Sequence, residues 1–296
     1  MHTIHYHVRE SDRATELIGL LCERFRHTSD AEWRVFIERG RLTVNDQLAA
    51  AETPVRPGAI VGFDPTDHVE PPTNTDWQTL YEDDVIWVIN KPAPLPCHRN
   101  GPYLRSNLMA LLRTETDGKR MHLMARLDRD TSGVILIAKD RDTCKVLHHS
   151  NAMEKAYWCV VHGTPPMNFV CDEPMEPDPD HPTRQQCGTG KEALTHFHRL
   201  DHRDGFSLLE ARPHTGRTHQ IRCHLAHADW PIVGDSLYGG DHSIETQRQL
   251  LHAHTLSFEH PTQGPMTVNA PAPSDLEEAC ATLGFSLPLK SADARV

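Results

Sequence analysis

Arg126, Asp128 and Asp130 crowd a short run that turns at Thr131-Ser132-Gly133 into the apolar stretch VILIA, 134–138. Charges beside a strand of that character are costly to bury unless they are paired or put to use. Asp130 fits the simpler role, a turn-forming acid whose carboxylate bonds backbone N–H groups. Asp128 fits it less well, because Arg126, Arg129 and an arginine from elsewhere in the chain compete for it. Such surroundings keep a carboxylate ionised. If the run were extended, Asp128 and Asp130 would share one face about 6–7 Å apart, near the spacing of a retaining glycosidase's two carboxylates. The arginines count against that chemistry, since one acid of such a pair must hold its proton.

Two further segments place polar groups on firm supports. In EARPHTGRTHQIRCHLAH (210–227) a strand ends, Thr215-Gly216 turns, and Arg217-Thr218-His219 opens a helix. Ile221 and Leu225, four apart, share its inner face, with Arg222 at the edge of that face. The free N–H groups of a helix start, with Arg217 beside them, would suit a phosphate. Spacing alone favours a plainer reading, an amphipathic helix with a basic outer face. In YEDDVIWVINKPAPLPCH (81–98) a strand runs into Asn90-Lys91-Pro92, and two more prolines stiffen the exit. Rigid loops of that kind often hold functional groups.

The elements that must position these residues change character near residue 70. Before it, Leu17, Ile18, Leu21, Cys22 and Phe25 repeat at helical spacing. Ser29-Asp30-Ala31-Glu32 announces a second helix through a capping box, with Trp33, Phe36 and Ile37 as its buried stripe and Gly40 at its end. A strand at 41–44, an Asn45-Asp46 turn and a strand at 59–63 complete a small α/β module, 1–70. The proline-paired stretch at 71–77 reads as a linker. From 78 to 290, apolar runs at 85–89, 134–138, 157–161 and 206–210 are interspersed with helical stretches near 104–113, 140–153 and 218–228. The expectation is a mixed α+β domain of about 200 residues.

Hydrophobic residues make up 38% and charged residues 24% of the 296, the balance of a soluble globular protein with its own core. The N-terminus has no apolar run resembling a signal peptide, and the longest apolar stretches are strand-sized, so a cytoplasmic chain away from membranes is expected. Eight cysteines without a C-x-x-C pair point to reduced thiols. A net charge of −11 and a pI near 6.0 weigh against non-specific adhesion to nucleic acid. The charge is segregated, however. Residues 211–228 hold three arginines, four histidines and no acid, whereas 172–180, DEPMEPDPD, hold five acids. A positive groove on an acidic body therefore stays open. Among 22 histidines, His219, His224 and His227, or His2, His5 and His7, could share a face. Neither set has the carboxylate or cysteine partners of a metal signature, and no metal is expected.

RLDRDTSGVILIAKD (126–140) and TGRTHQIRCHLA (215–226) resemble, in order, the two signature motifs of the RluA-type RNA pseudouridine synthases. NKPAPLPCH (90–98), EKAYWCVVHG (154–163), GKEALTHF (190–197), PIVGDSLYG (231–239) and LLHAHTLSFEHP (250–261) follow the family's order, so the resemblance spans residues 78–273. The N-terminal module, with its G-R-L-T-V-N-D edge, is similar to the small RNA-binding domain first named for a small-subunit ribosomal protein. Its 8 basic against 12 acidic residues leave it poor in positive charge for that role.

The resemblance implies a mainly antiparallel-sheet catalytic domain at 78–290 that isomerises specific uridines to pseudouridine. It implies Asp128 as the catalytic carboxylate, Tyr157 as the aromatic that stacks on the target base and joins in proton transfer, and Arg222 as the basic partner of the aspartate. Arg126 would help extrude the nucleotide, with Arg217 and His219 as further substrate-binding residues. In that reaction uridine loses its N1–C1′ bond, turns while bound and rejoins the ribose through C5. A carboxylate acts on the sugar, an aromatic face retains the detached uracil, and a long cation eases base flipping. Isomerisation is redox-neutral, so no cofactor is expected. The implied partner is RNA, with large-subunit ribosomal RNA favoured and transfer RNA the alternative, and a monomer is expected. A non-catalytic RNA-binding protein of the same fold is the other reading; loss of the aspartate, tyrosine or arginine would mark it, and all three are present. Two departures bear on substrate choice. The acidic stretch 172–180 is expected to point away from the cleft, and Ala125 stands where the family usually shows a histidine.

Overall fold

The computed structural model describes residues 3–150, 153–240 and 244–288, which form two compact units. The smaller runs to Pro71 and takes in Arg99–Arg105; the larger comprises Pro72–His98 and the chain from Ser106 onward.

The smaller unit contains β1 (Ile4–His7), α1 (Leu17–Arg24), α2 (Asp30–Glu38), β2 (Leu42–Val44), β3 (Gln47–Leu48) and β4 (Ile60–Phe63). Its antiparallel sheet has the order β1-β4-β2-β3. Leu17, Leu20 and Leu21 of α1 are buried with Trp33, Leu42 and Val61 in one core. The capping box forms as its spacing predicts: the Glu32 N–H donates to Ser29 Oγ (3.3 Å) and the Ser29 N–H to Glu32 Oε2 (2.7 Å). His5 and His7 lie exposed on β1, while His2 falls outside the described residues. The segment 99–105 belongs here because the Arg105 N–H and guanidinium both bond the Glu70 carboxylate. The helix expected near 104 accordingly starts only at Leu108, capped by the Asn107 side chain, which accepts from the Ala110 N–H.

The larger unit contains β5 (Gln78–Glu82), β6 (Ile86–Lys91), α3 (Leu108–Glu115), β7 (His122–Leu123), β8 (Ser132–Ala138), α4 (Arg141–Ser150), β9 (Glu154–His162), β10 (Asn168–Cys171), β11 (Met175–Pro177), β12 (Gln185–Cys187), β13 (Thr195–Arg203), β14 (Phe206–Pro213), α5 (Gln220–His227), β15 (Leu251–His260), β16 (Gly264–Asn269) and α6 (Ser274–Thr282). Its main sheet follows the order β10-β13-β14-β9-β15-β8-β6-β5, with β16 added to β15 and β7 to β8; β11 and β12 form a separate ribbon. The fold is mixed α+β and mainly antiparallel. β6, β8 and β9 are buried along nearly their whole length, as continuous apolar runs require.

Among the described residues, the one parallel pairing in the main sheet sets β8 beside β15 and matches Ser132 with His252 and Gly133 with Ala253. Gly133 has φ +122°, and a Cβ there would fall 2.2 Å from the Ala253 carbonyl oxygen. Only glycine allows the Asp128 loop to enter the sheet at that point.

β13 and β15 are strands that apolar periodicity does not announce. β15 reads LHAHTLSFEH, and its three histidines are buried. His252 pairs its Nδ1 with Ser132 Oγ (2.9 Å) and its Nε2 with the Ala270 carbonyl (3.3 Å). His254 stacks on Trp158 with ring centroids 4.2 Å apart. Burial pushes the His252 imidazole down to about 3, with Arg248 and His254 adding to the shift. The unfolded chain therefore takes up a proton below its ordinary value near 6.5, and the folded chain refuses it until about 3. Stability conferred by the neutral ring is present above the unfolded value and is lost as pH falls through that window. Between pH 7 and 5 the loss should be about 2 kcal/mol. Urea unfolding of wild type and His252→Gln at both pH values checks this: the variant should lose less, and an equal loss in both chains would contradict it.

Candidate active site

Three buried groups clamp the loop that carries Asp128. Lys91, fully buried at the end of β6, donates from Nζ to the carbonyls of Pro92 (2.7 Å), Leu95 (2.9 Å) and Arg129 (3.3 Å). Burial pushes it down to about 8, which leaves it charged at neutral pH and suited to three acceptors. Cys97 donates its S–H to the Leu127 carbonyl (3.2 Å) and accepts the Leu127 N–H (3.3 Å). Arg248 spans from the Asp130 carbonyl (2.9 Å) to the Asp275 carboxylate at the start of α6 (2.6 and 2.8 Å). The rigid 90–98 loop thus works as one jaw of the clamp.

Against this loop stands Arg222 of α5. Its Nε and Nη2 bond both oxygens of the buried Asp235 (2.7 and 2.8 Å), and its remaining Nη1 donates to Asp128 Oδ2 (2.9 Å). Burial opposes this charge, but the hydrogen bonds and charges of Asp235 and Asp128 outweigh it and hold the guanidinium above its usual range. The two-point grip of Asp235 fixes the guanidinium plane and so fixes the Nη1 vector. Tyr238 lies alongside, its ring centre 5.1 Å from the Arg222 guanidinium carbon. The Tyr238 hydroxyl accepts the Gln185 N–H (2.8 Å) and lies 3.1 Å from His219 Nδ1. If it donates there, the His219 Nε2–H is left facing Asp128 Oδ1, 3.9 Å away. Burial, with help from Arg222, pushes His219 down, so the ring is neutral at neutral pH and the contact is dipolar rather than an ion pair.

Tyr157, on β9, lies opposite Ala211 of β14 and Ala253 of β15. Ala253 in turn pairs with Gly133, five residues beyond Asp128. Tyr157 is therefore two strands from the Asp128 loop, flanked by the smallest side chains. Burial, then the charges of Asp128 and Cys97, pushes its hydroxyl well above the usual tyrosine range.

The structure thus joins Asp128, Arg222 and His219 directly and sets Tyr157 within reach of Asp128's charge. Arg126 is exposed on the same loop. Arg217 is exposed, and its Nε donates to the Glu192 carbonyl (2.8 Å). Several expectations are corrected. The helix opens at Gln220, because His219 takes a left-handed conformation (φ 56°). Just before it, the Gln220 side chain accepts the Arg217 N–H (3.0 Å), and the Gln220 N–H donates to the Arg217 carbonyl (3.2 Å). Nor is its basic face outward: Arg222 and His224 are buried, and His224 bonds Thr195 and the Glu173 carbonyl. Asp130 does not cap a turn; both its oxygens take the Arg129 guanidinium (2.9 and 2.7 Å). Both acids face guanidinium groups, an arrangement unlike the acid partner of a glycosidase pair.

Part of the acidic stretch forms β11, which pairs with β12; Gln185 of β12 donates its N–H to the Tyr238 hydroxyl, and Asp178 lies 3.7 Å from Arg184, itself over the Tyr238 ring. Two of its five acids have local partners, Glu176 in Gln186 and Asp178 in Arg184. Among the described residues no group of three His, Cys, Asp or Glu side chains comes together as a metal site would need.

Asp235, Tyr238, Lys91 and Arg248 escape a reading by type and spacing. Asp235 and Tyr238 sit within the segment 231–239, but which distant arginine an acid grips is a property of the fold. The faint signal is an acid directly after Gly234 in an otherwise apolar segment.

The mainly antiparallel mixed fold has counterparts among solved structures. A solved human structure, RNA pseudouridylate synthase domain containing 4, shares the fold with a TM-score of 0.58 at 24% identity, over 71% of this chain and 94% of that one. The RNA pseudouridylate synthase family model matches residues 85–227. An uncharacterised RNA pseudouridine synthase of Chloroflexus aurantiacus is 38% identical over 268 residues, 84% of either chain. The ribosomal large subunit pseudouridine synthase D of Xylella fastidiosa is 33% identical over 292 residues, 90% of this chain and 88% of the relative. The chain belongs to the RluA-type RNA pseudouridine synthases. Among the described residues no helix is long and apolar enough to cross a membrane.

Proposed function

We propose that this enzyme converts uridine to pseudouridine in large-subunit ribosomal RNA, with Asp128 acting on the ribose of a flipped-out nucleotide. The observation that carries the reading is the fork of Asp235 on Arg222, which leaves one guanidinium nitrogen 2.9 Å from the Asp128 carboxylate. A carboxylate so paired is held in one direction. It can attack C1′ or withdraw the C2′ proton; either route breaks the N1–C1′ bond. The freed uracil rests against Tyr157, between Ala211 and Ala253, where little but the ring can hold it. It turns and C5 bonds C1′, displacing the aspartyl ester in the first route or taking C1′ of the glycal as the proton returns to C2′ in the second; N1 gains a proton and C5 loses one. Arg126, exposed on the aspartate loop, fills the space the nucleotide vacates. Arg217 and His219 bind RNA at the entrance to α5.

The name of the Xylella fastidiosa relative supports ribosomal RNA, as does the helix–helix–hairpin module, which we read as an RNA-binding domain. Transfer RNA is the second reading. Because the C5 hydrogen is released, RNA tritiated at uridine C5 reports turnover. Large-subunit ribosomal RNA and transfer RNA, each made in a strain lacking this enzyme, should differ: tritium release is expected from the first. Release confined to transfer RNA would overturn the substrate assignment and leave the chemistry standing.

A further inference from the structure

Cys187 on β12 and Cys223 on α5 bring their sulfurs to 3.3 Å, a contact the reaction does not use. We propose that these two thiols form a reversible disulfide, installed by a peroxide and removed by a thiol reductant, which slows the enzyme by tying the β11–β12 ribbon to the helix that carries Arg222. Cys187 is half-buried and Cys223 buried, so a small oxidant reaches the pair from the Cys187 side.

Cys223 is the attacking sulfur. The Cys187 S–H directed at it, with Arg184 and Arg222 nearby, holds it below the usual thiol range despite its burial and the neighbouring Cys171. The same contact, burial and Glu173 push Cys187 up. As a thiol, Cys223 has the Gln185 carbonyl as acceptor at 3.5 Å. The Cys223 thiolate attacks one peroxide oxygen, breaking the O–O bond; the departing hydroxide takes a proton and leaves as water. The resulting sulfenic acid is attacked by the Cys187 sulfur, the S–S bond forms, and the expelled hydroxide leaves as water with the Cys187 proton. Two thiols lose two electrons and one peroxide gains them.

An S–S bond is about 2.05 Å long, so the sulfurs must close from the observed 3.3 Å. α5 cannot yield locally, since Gln220 to Leu225 are all buried. Arg222 is the neighbour of Cys223, and Gln185, two residues before Cys187, holds Tyr238. A shift of about 1 Å in a positioned group costs on the order of 10²-fold in rate; at least a tenfold loss is expected here. The bond itself is independent of the role given to Arg222, whereas the slowing rests on that role.

The test uses the full-length enzyme treated with hydrogen peroxide, alkylated, and digested without reductant, with tritium release measured in parallel. A cross-linked peptide joining Cys187 to Cys223 should accumulate as turnover falls at least tenfold, and dithiothreitol should reverse both. Cys187→Ser, or Cys187→Ala should the serine variant fold poorly, should keep its turnover through the same treatment. Absence of the cross-linked peptide overturns the proposal. So does a bond that forms without slowing turnover, or an equal loss in the Cys187 variants.

Discussion

Asp128→Asn should bind RNA as tightly as wild type while its single-turnover rate falls on the order of 10⁴-fold or more. The asparagine oxygen can still accept from Arg222 Nη1, whose position is set by Asp235 rather than by Asp128. The loop is also held independently of the carboxylate, by Lys91, Cys97 and Arg248. What the variant lacks is the negative charge that, in the proposed mechanism, acts on the ribose. Losing an interaction made only with the reacting atoms lowers rate without lowering ground-state affinity. Tritium release under enzyme excess and filter binding on the same RNA separate the two effects. A variant within tenfold of the wild-type rate would remove Asp128 from the chemistry.

Asp235→Asn should produce the next largest loss, on the order of 10²-fold in rate, although Asp235 need not touch RNA. Its amide nitrogen would face a guanidinium N–H, donor against donor, and the two-point grip on Arg222 becomes one. Breaking a buried pair of this kind also costs about 3–5 kcal/mol, so rates must be compared well below the variant's melting temperature. Arg222→Ala should likewise lower turnover far more than RNA binding. If Asp235 works only by aiming Arg222, the double variant should be no slower than Arg222→Ala alone. Independent, multiplying losses would show Asp235 acting by another route, and equal losses of rate and affinity in Arg222→Ala would remove its pairing role.

The parts of the fold legible in the sequence are those where local chemistry and tertiary structure agree. Ser29 and Glu32 cap α2 because both partners lie within one turn, and β6, β8 and β9 read as strands because both their faces are buried. β15 escapes notice because a buried histidine such as His252 is satisfied by Ser132 and Ala270 across the sheet, partners no window along the chain contains. The site divides in the same way. Asp128 and Arg222 are legible through the motifs around them, and they meet across 94 positions of sequence. Asp235 and Tyr238 are not legible, because a role exerted through another side chain leaves no mark in spacing. The acidic stretch misleads for a related reason. Its charge suggests repulsion from the cleft, yet Gln186 and Thr189 bond Glu176, Arg184 faces Asp178, and the ribbon bonds Tyr238 through Gln185.

The central claim is that this chain makes pseudouridine through Asp128. Total RNA from a strain lacking the enzyme, incubated with the purified protein and treated with carbodiimide, tests it by primer extension. The account predicts new stops at discrete uridines with wild type and none with Asp128→Asn. No new stop with wild type, or stops that persist in the variant, would contradict it.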